Sequence, residues 1–265
     1  HTVFFMGSIL GSQLDTLPKI NKLNTTEYLN YEGQKFSKSN SIGIFGDQVA
    51  NLSLELGINE DYWRFYLLKI RPESHDSSFD WNDFITTCNT DLVNNIGNYI
   101  NRCVSMTNKF LDGKVTYTYN EKLKEIIKYI KEYNESFEDF RYIKAVISCL
   151  ELGYYGNQYL QENAPWKVAK SLPDSKDNLN NILSLAIIIC YILTKLLLPV
   201  IPRTADRVLR IFRFEREYSK FEDIINNNNK ITLDMTDYSL PFKPLDKSEV
   251  INTLKKLNIK TCLEV

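Results

Sequence analysis

Histidine is scarce in this chain, whose 265 residues include only His1 and His75. Acid–base pairs or catalytic triads built on imidazole therefore have almost no residues to use. The five cysteines lie far apart and form no Cys-x-x-Cys pair, which argues against a disulfide framework or a metal site. Most of them fall in apolar helical patterns, so we expect reduced core thiols in a cytosolic protein.

A strong excess of either charge is also missing. The chain has 32 Lys and Arg against 33 Asp and Glu, a formal net charge of −1, so any contact with RNA must use local patches rather than a global basic field. An unbroken run of about 20 apolar residues, the length that crosses a bilayer, does not occur. The long apolar run over residues 182–193 meets Lys195 and then Pro199, and Asn180 and Asn181 precede it. This pattern predicts the central helix of a bundle, not a membrane anchor.

The rest of the composition is that of a globular protein, with 43% hydrophobic and 25% charged residues. The chain begins at His1 rather than at methionine and shows no signal peptide, so we expect a piece of a longer protein. Apolar periodicity and helix caps predict a mainly α chain. The predicted elements are a β-rich end of an α/β unit over residues 1–10, a strand over 26–31, a helix from 59–61 that Pro72 ends, helices over 80–110, 120–133, 136–163 (capped by Ser136 and Asp139) and 177–198, a helix from Pro202, a short strand over 231–235 and a helix over 248–257.

Residues 33–39, Gly-Gln-Lys-Phe-Ser-Lys-Ser, form the first candidate site, which we call the lysine loop. Its glycine allows the backbone to approach a ligand closely. The ammonium groups of Lys35 and Lys38, together with the hydroxyls of Ser37 and Ser39, suit the oxygens of a phosphate chain, because they offset its negative charge. A solvated basic loop is the alternative that this stretch alone leaves open.

Two further features lie in the predicted helical region. Asn98 and Arg102 are four residues apart, on one side of a helix and off its apolar stripe, where an amide and a guanidinium can read the edge of a base. Trp166 follows an Ala-Pro step in a polar context and can stack on an unpaired base. Each also has an ordinary explanation, namely solvation of the helix for the pair and burial in the core for the tryptophan.

Taken in this order, the stretches resemble the C-terminal half of the methionyl-tRNA synthetase family, which belongs to the class I aminoacyl-tRNA synthetases. The lysine loop matches the Lys-Met-Ser-Lys-Ser loop of that class in a phenylalanine form. Residues 62–73 look like the segment after that loop, residues 92–102 are similar to the family's anticodon helix, and residues 163–167 resemble its tryptophan element. The resemblance covers roughly residues 1–205.

For the lysine loop, the resemblance implies contacts with ATP. Lys35, Ser37, Lys38 and Ser39 would bind the ATP phosphates, and the two lysines would be catalytic, with Lys38 the main stabiliser of charge. The pair Asn40-Ser41 stands where the family usually has Arg-Gly, so one positive charge near the phosphates is missing.

For the remaining site residues, the resemblance implies recognition of tRNA and methionine. Asn98 and Arg102 would read the first anticodon base, a cytosine, by hydrogen bonds, and Trp166 would stack on it. His1 falls where the family has a histidine that lines the methionine pocket.

The resemblance also implies a fold and a division into domains. The fold is mainly α, with a partial α/β remnant of a class I catalytic domain that carries the lysine loop in its stem-contact region, followed by an antiparallel α-helical anticodon-binding bundle. The expected parts are residues 1–79 for the catalytic end, 80–215 for the anticodon-binding domain, and 216–265 for a C-terminal extension with a short strand and a terminal helix.

The implied function is that of a methionine–tRNA ligase fragment. The intact enzyme would activate methionine with ATP and Mg²⁺ and transfer it to tRNA(Met), whereas this chain lacks the His-Ile-Gly-His element of the class, so we expect it to be inactive alone. We expect a cytoplasmic protein with no metal site in this chain and no membrane contact, able to join other synthetases in a complex. Two alternatives stay open: another class I synthetase, and a non-catalytic tRNA-binding module derived from one.

Overall fold

A computed structural model of the protein describes residues 2–13, 22–171, 173–216 and 221–263. Most of these residues are helical, which confirms the mainly α prediction. The helices are α1 (Thr2–Gly11), α2 (Gly46–Leu56), α3 (Glu60–Lys69), α4 (Trp81–Thr87), α5 (Asn98–Leu111), α6 (Leu123–Glu138), α7 (Tyr142–Asn163), α8 (Pro165–Val168), α9 (Lys176–Leu197), α10 (Pro202–Leu209), α11 (Phe221–Asn226) and α12 (Lys247–Lys256). The strands are β1 (Leu29–Tyr31), β2 (Ser77–Phe79), β3 (Lys114–Tyr117), β4 (Phe212–Phe214) and β5 (Asn229–Leu233).

The strand β1 before the lysine loop and the helix α3 further along the chain both lie near their predicted positions. β1 is shorter than the predicted strand over 26–31 and pairs in parallel with β2, so that Tyr31 lies opposite Phe79. The side chain of Asn59 caps α3 by accepting a hydrogen bond from the Asp61 backbone N–H at 3.0 Å. As predicted, α3 ends before Pro72, because a residue that precedes proline is driven out of the α region.

The β-rich prediction for residues 1–10 is wrong, since α1 occupies Thr2–Gly11. Its Val-Phe-Phe sequence favours a strand only when it can pack on a sheet, because β propensity mostly reports such packing. Both sheets in the described part of the chain lie elsewhere, around β1 and around β5. Local helical hydrogen bonding therefore prevails, with the Ser8 hydroxyl bonded to the Phe4 carbonyl oxygen at 2.8 Å.

The predicted helix over 80–110 is continuous, but it is not α-helical throughout. Asp80 caps it as expected, accepting from the Asp83 backbone N–H at 2.9 Å. Between α4 and α5, residues Cys88–Gly97 form a π-helical segment with wider turns. The predicted apolar stripe is buried from Phe84 through Cys103.

The helix predicted over 120–133 is longer than expected, and the capping prediction for the next one is wrong. α6 continues to Glu138, so Ser136 lies buried inside it and Asp139 is its C-terminal cap residue. The next helix, α7, starts only at Tyr142. Ser and Asp favour helix starts in isolation, but the apolar face of α6 packs on α7 and carries the helix past them.

Helix α9 lies at the centre of the helical region and packs against α5, α6, α7, α10 and β3. It is long and apolar enough to cross a membrane, yet 78% of its most apolar 18-residue stretch is buried inside the protein. This burial agrees with its prediction as a central helix. α10 begins at Pro202, again as predicted.

A three-stranded antiparallel sheet lies beside α9, in the order β3-β5-β4. The strand predicted over 231–235 is its central strand β5, whereas β3 and β4 were not predicted. Asn180 of α9 holds the edge strand, because its side chain accepts from the Thr116 N–H and donates to the Thr116 carbonyl, each at 2.8 Å.

A buried carboxylate joins the lysine-loop end of the molecule to the helical end. Asp61 of α3 is 0% exposed and accepts from the backbone N–H of Thr204, in the first turn of α10, at 2.6 Å. The N-terminus of a helix carries partial positive charge and unpaired N–H groups, so a carboxylate is stabilised there.

Candidate functional site

The lysine loop lies in two consecutive tight turns, each closed by backbone hydrogen bonds. Tyr31 and Gln34 exchange two of them at 2.8 and 2.9 Å, and Ser37 and Ile42 exchange another two at 2.9 Å. Gly43 has φ +124°, and a Cβ built there would lie 2.3 Å from the Phe36 ring. Phe36 therefore packs directly against the glycine backbone and anchors the middle of the loop.

The lysines point away from this anchor and are exposed. The Lys35 ammonium lies 5.8 Å from the centre of the Tyr28 ring, and neither lysine has a carboxylate partner in the described part of the chain. The hydroxyls of Ser37 and Ser39 are 3.3 Å apart. The loop thus presents two uncompensated cations beside two hydroxyls, an arrangement that suits an anion.

The second group of residues is built on α5 and α7. Asn98 is exposed and Arg102 half-buried, one turn apart on α5, and both donate to the side-chain oxygen of Asn157 at 3.3 Å. The Arg102 guanidinium also lies 5.4 Å from the centre of the Trp166 ring, within cation–π range. The structure therefore brings together the three residues that the sequence singled out, although Trp166 lies far along the chain from the other two.

The position of Trp166 follows from the end of α7. Ala164 ends that helix in the left-handed region, at φ 40°, and Pro165 starts the short helix α8 in a new direction. The ring is half-buried, with one part against Arg102. Trp63 and Trp81, the other two tryptophans, are buried at 5% and 0% exposure, so Trp166 is the tryptophan accessible to a ligand.

Asn157 is the site residue that the sequence analysis missed. Its Nδ2 donates to the Asn95 carbonyl at 3.0 Å, to the Asn95 side-chain oxygen at 3.3 Å and to the Gly153 carbonyl at 3.1 Å. These contacts fix the amide, so its oxygen faces Asn98 and Arg102. The one sequence signal was a polar residue directly after Gly156 in a predicted helix, which gave no indication of a partner 55 residues away.

Asn95 supports this arrangement from inside the π segment. It is 1% exposed and donates to the Leu150 carbonyl at 2.9 Å. A Cβ at Gly153 would lie 2.8 Å from its side-chain oxygen, so the glycine permits the close approach of α7. The predicted methionine-pocket residue, His1, lies outside the described residues.

Comparison with known proteins gives two sequence-profile matches, which together cover most of the chain. The profile of the family described as tRNA synthetases class I (M) matches residues 1–104. The profile of the anticodon binding domain of methionyl tRNA ligase matches residues 112–234.

Among curated relatives, a methionine–tRNA ligase of Acanthamoeba polyphaga mimivirus is 40% identical over 250 residues, covering 94% of this chain and 44% of the relative. The cytoplasmic methionine–tRNA ligase of Homo sapiens is 38% identical over 78% of this chain and 23% of its own length. This chain therefore spans less than half the length of these relatives.

The fold is similar to that of the apo form of Mycobacterium tuberculosis methionyl-tRNA synthetase, with a TM-score of 0.71 at 20% identity, over 93% of this chain and 47% of the other. A complex of the same enzyme with methionyl-adenylate gives a TM-score of 0.65 at 24% identity, over 81% of this chain and 42% of the other. Sequence profiles, curated relatives and fold all agree, and the chain belongs to the methionyl-tRNA synthetase family.

Proposed function

We propose that this chain supplies the phosphate-binding loop and the anticodon-reading surface of a methionine–tRNA ligase. The convergence of Asn98, Arg102 and Trp166 around Asn157 is the observation that carries the proposal. Another class I synthetase would share the lysine loop but not this group. The matched profile of the methionyl anticodon domain also favours this function over a different class I enzyme.

The hydrogen-bonding pattern suits the Watson–Crick edge of cytosine. Asn98 uses its Nδ2 on Asn157, so its oxygen is available to accept from the amino group at C4 of cytosine. Arg102 uses one N–H on Asn157, and its remaining donors are available to the N3 and O2 acceptors of the base. Uracil presents an oxygen at C4, which would face the Asn98 oxygen and repel it. Stacking on Trp166 would add about 1–3 kcal/mol without regard to sequence.

The lysine loop would act on ATP during adenylate formation. The methionine carboxylate attacks the α-phosphate in line, and pyrophosphate leaves with the bonding electron pair. Lys35, Lys38, Ser37 and Ser39 would bind the phosphate oxygens, and Lys38 would stabilise the charge that develops on the leaving group. A hydroxyl of the terminal ribose of tRNA(Met) then attacks the methionyl carbonyl of the adenylate, and AMP leaves. This chemistry rests on positioning and charge, which is compatible with a histidine-poor chain.

Magnesium would accompany ATP in the intact enzyme and help to neutralise its phosphates. In the described ranges, no three histidine, cysteine or acidic side chains group together in a way that could hold a metal ion. We therefore assign none of these residues to Mg²⁺. The proposed parts remain residues 1–79, 80–215 with an antiparallel bundle, and 216–265, and the cytoplasmic relatives suggest a cytoplasmic location.

The experiment is a titration of the chain with anticodon stem-loop RNAs, followed by tryptophan fluorescence. Because Trp63 and Trp81 are buried, quenching on addition of RNA would report stacking on Trp166. We expect saturable quenching by a stem-loop with the methionine anticodon, and at least tenfold weaker binding when uracil replaces its first base, a difference of about 1.4 kcal/mol. Equal binding of both stem-loops would refute the anticodon-reading function.

A further inference from the structure

The C-terminal residues 257–263, which we call the tail, return to the lysine loop. α12 ends at Lys256, whose ammonium lies 2.7 Å from the Glu55 carboxylate of α2. Beyond it, Ile259 and Leu263 are buried at 5% and 6% exposure. The tail is therefore packed into the molecule on both sides of its polar residues.

The first contact between the tail and the loop is made by Tyr31, which begins the first of the two turns. Its hydroxyl donates to the Lys260 carbonyl at 2.8 Å and accepts from the Trp81 indole N–H at 2.8 Å. Burial raises the pKa of Tyr31 to about 12, so the hydroxyl keeps its proton at neutral pH and remains a donor.

The second contact uses the next residue, Glu32. One carboxylate oxygen accepts from the Thr261 hydroxyl at 2.7 Å, and the other accepts from the Cys262 backbone N–H at 2.8 Å. Glu32 itself has φ 46°, in the left-handed region, which turns its side chain toward the tail. Hydrogen bonds to a charged acceptor are about twice as strong as neutral ones.

The third contact lies on the far side of the loop, where the Lys260 ammonium donates to the Asn40 carbonyl at 3.3 Å. Lys35 and Lys38 therefore lie between Glu32 and Asn40, and both of these residues are bonded to tail residues 260–262. The lysine side chains themselves have few fixed contacts: Lys35 lies over the Tyr28 ring, and Lys38 has no hydrogen bond from its side chain to another described residue.

We propose that the tail is a positioning element for the lysine loop, which holds both of its turns and so sets where Lys35 and Lys38 meet a phosphate chain. A loop ordered beforehand loses less conformational freedom when it binds. The positioning role rests on the proposed phosphate-binding function, whereas the hold of the tail on the loop does not.

Hydrogen–deuterium exchange on this chain tests whether the tail holds the lysine loop in place. Glu32→Ala removes the acceptor of two tail bonds, and we expect the amides of Ser37 and Ile42 to exchange roughly tenfold faster. Glu27→Ala is the matched control, because the Glu27 carboxylate is exposed and makes no hydrogen bond with a described residue. A second variant, truncated after Asn258, removes all three contacts and should loosen the loop at least as much. Unchanged exchange in both variants would overturn the hold.

Kinetics in a full-length synthetase that carries this chain test the positioning. We expect Glu32→Ala to raise the KM for ATP several-fold, with kcat, the KM for methionine and anticodon stem-loop affinity unchanged. If kcat, both KM values and the stem-loop affinity all worsen to a similar extent and the melting temperature falls, the role of Glu32 is purely structural and the proposal is overturned. Faster loop exchange with an unchanged KM for ATP would also overturn it, and Lys38→Ala, assayed beside it, would then show separately whether the phosphate-binding role fails.

Discussion

Replacement of Asn157 by alanine tests whether this residue orients the side chains of Asn98 and Arg102, which we propose to contact the first anticodon base. The substitution removes the acceptor shared by Asn98 and Arg102 but leaves both side chains and Trp166 in place. Gln158→Ala is the matched control one residue further on, because the Gln158 amide is exposed and bonds only to Glu162 among the described residues.

The expected magnitude follows from the hydrogen bonds lost. Asn157 donates three bonds, two of them to Asn95, so alanine removes the donor to the buried Asn95 side-chain oxygen and costs about 1–3 kcal/mol of folding free energy. For binding, Asn98 and Arg102 would have to be ordered by the RNA itself. We expect this to cost about 1.4 kcal/mol, a tenfold loss of affinity for the stem-loop that starts with cytosine.

The assay is the fluorescence titration with stem-loops that carry cytosine or uracil at the first anticodon position. We expect Asn157→Ala to lower the affinity mainly for the cytosine stem-loop, so that the ratio of the cytosine to the uracil affinity falls. Gln158→Ala should keep the affinities of the unmodified chain. If the Asn157→Ala chain is folded and keeps the full ratio, the residue does not orient the readers. An equal loss of affinity for both stem-loops would show that Asn157 stabilises the fold and does not contribute to base recognition.

Four other changes have defined outcomes. In a full-length synthetase, Lys38→Ala should slow adenylate formation by a few kcal/mol in barrier, about 10²–10³-fold, and near-normal pyrophosphate exchange would contradict its role. Trp166→Ala should lower tRNA charging and spare adenylate formation, and an equal loss of both steps would count against anticodon stacking. Asp61→Ala should cost about 1–3 kcal/mol in urea unfolding because it leaves a buried helix N–H unpaired, whereas Asp206→Ala, which removes an exposed ion pair, should cost under about 1 kcal/mol. Burial raises the pKa of Tyr31 to about 12 in the folded chain, whereas in the unfolded chain its pKa is 10.0. Between pH 10 and pH 12 the folded chain therefore binds more protons, and its free energy of unfolding should fall as the pH rises. Ionisation of Tyr31 near pH 10 in the folded chain, seen as tyrosinate absorbance, would contradict this.

The parts of the fold that the sequence predicted are those determined by local chemistry. The caps at Asn59 and Asp80, the proline start of α10 and the buried stripe of α5 each depend on residues within a few positions of one another. Strands β3 and β4 depend instead on pairing with β5, more than a hundred residues from β3, and each is too short to show an alternating pattern. Helix α1 was misread because its apolar residues fit either structure.

The candidate site divides in the same way. Asn98 and Arg102 were predicted as a pair because helical spacing places residues four apart on one side. Their contact with Trp166 was expected only from the resemblance to a family, and Asn157 was not expected at all, since two of its donor bonds join α7 to the π segment across the interior. Neither the π segment nor the tail contacts have a local sequence signature that composition or periodicity could have detected.

The π segment Cys88–Gly97 has a consequence for how far this part of the chain can vary in length. It directly precedes Asn98, and each residue added to or removed from a helix turns everything beyond it by about 100° relative to everything before it. Because α4 is locked into the aromatic core through Trp81 and Phe84, such a change would swing the amide and the guanidinium round to a different side of the molecule. The number of residues in this stretch therefore determines the direction in which Asn98 and Arg102 point. Insertions or deletions here should weaken anticodon binding far more than single substitutions on its exposed face.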